Sequence, residues 1–225
     1  MKLSCLTSLS VLLLGFVIGC SPSTTTTNDP TNNGGTSGTD NVYHGPKAGS
    51  SFAYSMWQNG RDVSDWSITI DSSDVSAYGM THTMHFQIAP RDGTEMSKRL
   101  LANGDIEIWN PTPGTGGFMT GAVVPINRWI RYPMDGTPGR HVLLDTLVGS
   151  NTVIKVMDVI GTATRQSSAG SVKTVHYIES DTSRSGGGMN LDQYEIWFAP
   201  SYGTFVKAVN LYNGIVDTLT GVEIQ

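Results

Sequence analysis

Few side chains in this 225-residue chain stand at spacings that could do chemistry. The two cysteines, Cys5 and Cys20, both fall in the first twenty residues. Nothing C-terminal of Cys20 can therefore form a disulfide within a domain or a thiolate metal site. The histidines are His44, His82, His85, His141 and His176. His82 and His85 lie three apart in a strand-like stretch, which puts them on opposite faces. No HExxH, CxxC or H-x-H occurs, so neither a metal nor metal-assisted hydrolysis is expected. G-x-S-x-G is also missing, and with it the usual frame of an activated serine. Asp62 with Asp65, Asp71 with Asp74, and Asp105 with Glu107 are close acid pairs. Two carboxylates can cleave a glycoside when held about 5 Å or 6.5–9.5 Å apart. Solvated turn and strand-face acids are the plainer reading, and only Asp105 and Glu107 sit in a firm hairpin pattern. The glycine runs at 114–117 and 186–188 lack the strand–GxGxxG–helix setting of a nucleotide site. The chain is thus expected to be non-catalytic, without cofactor or metal.

Cys20 has a different context. Lys2 is followed by an uncharged apolar stretch from Val11 to Ile18, then Gly19, Cys20 and the tract SPSTTTT. Eight apolar residues cannot cross a hydrocarbon core of about 30 Å, which takes about 20 helical residues. They suit the central segment of a secretory signal, here residues 1–19. Val17-Ile18-Gly19-Cys20 resembles the lipobox of bacterial lipoproteins. That resemblance implies diacylglyceryl transfer to the Cys20 thiol, cleavage before it, and acylation of the new amine. Each buried CH₂ contributes about 0.8 kcal/mol, so two or three chains give stable anchoring where one does not. Ser21 after the cysteine implies sorting to the outer membrane in a two-membrane cell. The expected location is the cell envelope, with the lipid on Cys20 as the membrane contact.

Residues 20–41 read as the acylated cysteine and a disordered tether. Ser21 to Asp40 contains no hydrophobic residue, so it buries nothing. Twenty such residues span roughly 25 Å root-mean-square as a flexible coil. The net charge of −5 and the scatter of the 14 Lys and Arg argue against nucleic acid as a partner. Charged residues make up only 15 %, with 26 glycines filling part of the difference. That is the profile of a turn-rich β protein.

Residues 42–225 form one domain in which strand patterns run nearly throughout. In residues 81–89, His82, Met84, Phe86 and Ile88 share one face. Asn103-Gly104 separates RLL from IEIW as a hairpin turn, and Asn213-Gly214 separates the last two strands. Val172, Thr174, His176 and Ile178 oppose Lys173, Val175, Tyr177 and Glu179. Trp129 takes one face, Ile130 and Tyr132 the other. Residues 95–102 are the one stretch compatible with a helix, and equally with a strand. Nine or more mainly antiparallel strands imply an all-β fold: a sandwich, a barrel or a curled sheet.

GSSFAYSMWQNG, NGDIEIWNP, NRWIRYPMDGTPGR and YEIWFAPSYGTFVKAV, in that order, resemble a family of bacterial envelope lipoproteins. Its domain is a single curled antiparallel sheet, a half-open barrel with little helix, similar to the LolA/LolB type of lipoprotein carriers. The resemblance covers about Gly49 to Val209 and carries no catalytic signature. It implies that Trp57, Trp109, Trp129, Trp197 and Phe198 could line a concave apolar cavity for a lipid or other hydrophobic molecule. Their plainer role is to fill the core of a sheet. The other expectation is a structural or accessory subunit of an envelope assembly, with exposed apolar patches or an unpaired edge. A hydrolase is the least supported.

Overall fold

The computed structural model describes residues 46–225, apart from 77–78, 89–90, 102, 110–128, 149 and 186–187. The expected signal peptide, Cys20 and the tether lie outside the described residues. The strands are β1 (Ser51–Gln58), β2 (Arg61–Ser76), β3 (Gly79–Ile88), β4 (Arg91–Leu100), β5 (Ile106–Trp109) and β6 (Trp129–Tyr132). They continue as β7 (Gly139–Val148), β8 (Asn151–Ser167), β9 (Gly170–Ser185), β10 (Gly188–Ala199), β11 (Thr204–Asn210) and β12 (Val216–Glu223). Among the described residues there is no helix, and residues 95–100, within the helix-compatible stretch, belong to β4.

All twelve strands join one antiparallel sheet in the order β6-β5-β4-β3-β2-β1-β12-β11-β10-β9-β8-β7. Every neighbour in that order is also a neighbour in sequence, except that β12 pairs with β1. The meander therefore runs round on itself and, among the described residues, is interrupted between β6 and β7. The expected single curled antiparallel sheet, not closed into a barrel, is what forms.

Alternation makes these strands. In β8, Val153, Lys155, Met157 and Val159 point inward, and Thr152, Ile154, Val156 and Asp158 lie on the other face. Turn chemistry sets the hairpins. Gly104 takes φ +89 between β4 and β5, where Leu100 pairs with Ile106. Between β10 and β11, Pro200 supplies no ladder donor, and Gly203 at φ +64 returns the chain with its N–H on the Pro200 carbonyl.

The core sits inside the curl. Phe52, Tyr54, Ile68, Ile106, Ile108, Tyr132, Met157, Tyr177, Ile196 and Phe198 are essentially inaccessible to solvent. Contacts across the interior tie distant strands together. Phe52 packs on Tyr202, Tyr54 lies 4.7 Å from Phe205, and Leu100 rests against Gly203.

Candidate functional site

The five side chains expected at a cavity do not converge. Trp57 is 42 % exposed, on the β1 position that alternates with the buried Tyr54 and partly buried Met56. Trp109 and Trp129 are register partners on β5 and β6, on the faces opposite Ile108 and Ile130. Their rings meet edge to face at 5.5 Å, and the Arg99 guanidinium lies 3.8 Å over Trp129. Trp197 and Phe198 are adjacent on β10 and so point to opposite faces. Of the five, only Phe198 joins the interior cluster.

Trp197 is nonetheless only 6 % exposed, because polar side chains on the outer face cover it. His176, its register partner on β9, stacks on it at 4.4 Å and shares a 2.8 Å hydrogen bond with Glu195. Arg165 from β8 lies 4.5 Å over the indole, and Lys207 from β11 lies 5.1 Å from it. Four strands thus contribute to one cation–π cluster on the outer surface.

Inside the curl, several polar side chains bond to one another or to backbone carbonyls. Thr204 donates to the Tyr54 hydroxyl at 2.8 Å, and Tyr54 donates to the Phe205 carbonyl at 2.9 Å. The Trp66 indole N–H donates to Asp217 at 2.8 Å. Burial pushes the Asp217 carboxyl up to about 6, against the lowering effect of that indole. Lys98 on β4 reaches across to donate to the Gly203 carbonyl, with its ammonium 5.4 Å from the Phe198 ring. Burial lowers Lys98 to about 7, because it has no carboxylate among these partners.

The densest chemistry lies on β8 and β9. Lys155 and Asp181 are direct register partners, with Glu179 two residues away on the same face of β9. The Lys155 ammonium is 2.6 Å from Glu179 Oε1, and 2.5 and 2.6 Å from the two Asp181 oxygens. All three residues are buried. Tyr132 of β6 directs its hydroxyl at Glu179, so this cluster joins β6, at one edge of the sheet, to β8 and β9. Burial pushes Glu179 up, Lys155 draws it down, and Asp181 pushes it up again, leaving it at about 7. Burial opposes the Lys155 charge, but the two carboxylates outweigh that and its pKa is raised. No motif marks this triad in the sequence. Its signal was a lysine and two acids at inward positions of otherwise apolar alternations.

Three members of the acid pairs make structural contacts. Asp105 accepts from Arg131 Nε at 2.9 Å and from the Met134 N–H at 3.1 Å, and Glu107 faces Arg99 at 3.5 Å. Asp65 accepts from Ser55 at 2.8 Å. His82 pairs with Lys98 and His85 with Glu95 in the β3–β4 register, three positions apart on the ladder. Among the described residues, no group of three or more His, Cys, Asp or Glu is placed to hold a metal ion.

Two solved structures share this fold. One is a protein from Bacteroides fragilis described as exported and as having a YmcC-like fold. It is 12 % identical, with a TM-score of 0.53, over 80 % of this chain and 98 % of that one. The other, from Parabacteroides distasonis, is described as a lipoprotein. It is also 12 % identical, with a TM-score of 0.56 over the same shares. At that identity the likeness is one of fold. No family model and no curated protein matches the chain.

Proposed function

We propose that this chain is an exported envelope lipoprotein, anchored through Cys20, whose β domain acts without catalysis as an interaction module. The Val17-Ile18-Gly19-Cys20 motif supports the anchor, and so does a fold shared with one protein described as exported and another described as a lipoprotein. Ser21 favours the outer membrane as its destination.

One observation carries the module reading. The concave side of the sheet is filled by the protein's own side chains, whereas Val142 and Leu147 on the edge strand β7 are 63 % and 71 % exposed. A carrier of the LolA/LolB type would have to displace Tyr54, Tyr177, Phe198 and Phe205 to admit a lipid. An edge strand with apolar side chains instead suits strand addition by an extended segment of an envelope protein. Among the described residues no strand pairs with the outer side of β7.

Photo-crosslinking in cells tests this. A benzophenone side chain at Leu147 should give one adduct of defined mass, and the same group at Thr220, on an exposed position of β12, should not. Recovery of the monomer alone from both positions, with lipid retained in native mass spectrometry, would replace the module by the carrier.

A further inference from the structure

Lys155, Asp181 and Glu179 are arranged for bond formation as well as for ion pairing. Lys155 Nζ lies 2.5 and 2.6 Å from the two Asp181 oxygens. The Asp181 carbon between those oxygens therefore lies no farther from Nζ than the about 3–3.5 Å of a near-attack contact. Glu179 Oε1 touches the same nitrogen at 2.6 Å. The surroundings exclude water: Tyr132, Leu144, Val153, Met157 and Tyr177 are all buried core residues. The register that makes Lys155 and Asp181 direct partners fixes both backbones before any reaction begins.

Energetics favour a change of state. Two carboxylates and one ammonium in an apolar interior carry a desolvation cost that their attraction recovers only in part. An amide in place of one ammonium and one carboxylate removes two of the three charges. It leaves a polar group that hydrogen bonding can satisfy. We propose that Lys155 and Asp181 condense spontaneously into an intramolecular isopeptide bond that staples β8 to β9, with Glu179 carrying the protons.

The steps balance without a co-reactant. Glu179 takes a proton from the Lys155 ammonium and leaves a neutral amine. The Asp181 carboxyl turns about its soft Cβ–Cγ torsion to present its carbon face, and the Nζ lone pair attacks Cγ. As the Nζ–Cγ bond forms and one Cγ–O bond breaks, two of the three original ammonium protons leave with that oxygen as water, relayed by Glu179. The third stays on the amide nitrogen, and Glu179 ends as it began. Burial that pushes Glu179 up to about 7 suits it to both halves of this relay.

Tryptic peptide mapping of the folded full-length protein tests the bond. An intact isopeptide blocks cleavage after Lys155. Residues 141–165 should then appear joined to residues 174–184, one water lighter than the sum of the two peptides. Lys155→Met and Asp181→Ala should abolish that species. Glu179→Gln, folded by circular dichroism, should leave the peptides separate and Lys155 cleavable. Wild-type protein that yields residues 141–155 and 174–184 as free peptides of full mass overturns the proposal, whether or not the variants fold. A cross-link that persists in Glu179→Gln removes Glu179 from the mechanism.

Discussion

Trp66 on β2 donates its indole N–H to Asp217 on β12 at 2.8 Å, over the strand β1 that lies between them. Tyr54 of β1 stacks on Trp66 at 4.4 Å, so the bond and the stack close one corner of the core. Asp217 Oδ2 has no hydrogen-bond partner among the described residues, which leaves the indole as this carboxylate's side-chain donor. Hydrogen bonds to charged groups contribute about 1.5–3 kcal/mol. A double-mutant cycle of Trp66→Phe and Asp217→Asn, read by urea unfolding, should give a coupling energy in that range. Additive losses would show that the bond contributes nothing to stability.

The buried ionisable groups shape stability against pH. The native carboxyl of Asp217 is raised from 3.8 to about 6, so the folded chain holds its proton more tightly than the unfolded chain. Stability then falls as pH rises through that interval. Glu179, raised from 4.5 to about 7, extends the fall. Lys98 acts in the other direction. Its ammonium is lowered from 10.5 to about 7, so the unfolded chain binds the extra proton and stability rises with pH between those values. Unfolding curves measured across this range should show a minimum near neutrality. Asp217→Asn should flatten the acid limb, and Lys98→Met the alkaline one. A maximum at neutrality, unchanged by either variant, would contradict these assignments.

Gly136 tests the turn that follows β6. It sits at φ +76, and a Cβ there would run into the Thr162 methyl on β8. Gly136→Ala should cost about 1–3 kcal/mol through backbone strain and this contact together. Thr162→Ser removes the methyl and should restore the steric part, leaving about 1–2 kcal/mol from the left-handed backbone. Thermal melts of the single and double variants separate the two. Equal losses in both backgrounds would mean that the methyl is not the obstacle.

Much of the architecture was legible from alternation and turns. The hairpin at Asn103-Gly104, the link at Pro200 and Gly203, and the opposed faces of Trp129 and Ile130 each follow from local rules. Those rules act between near neighbours. The roles of the tryptophans were less legible, because a large apolar side chain on a strand reads as core on either face. Trp197 stays covered on the outer face only because His176, Arg165 and Lys207 arrive from three other strands. The adjacency of Trp197 and Phe198 already required opposite faces. Lys155 was hidden for a related reason. Alternation placed Glu179 beside Val175 and Tyr177, but only the register of β8 against β9 shows that its charge points inward to meet Lys155 and Asp181. The sequence distance between β6 and β7 gave no sign that the sheet breaks there.

The anchor is the premise on which the proposed function rests. Cys20→Ser, expressed in the native cell and followed by membrane fractionation with a fatty-acid label, tests it most directly. Wild-type protein should take up label and sediment with the membranes. The variant should take up none and appear in the soluble fraction, with the β domain still folded and protease-resistant. A Cys20→Ser protein that remained in the membrane fraction would contradict the lipid anchor.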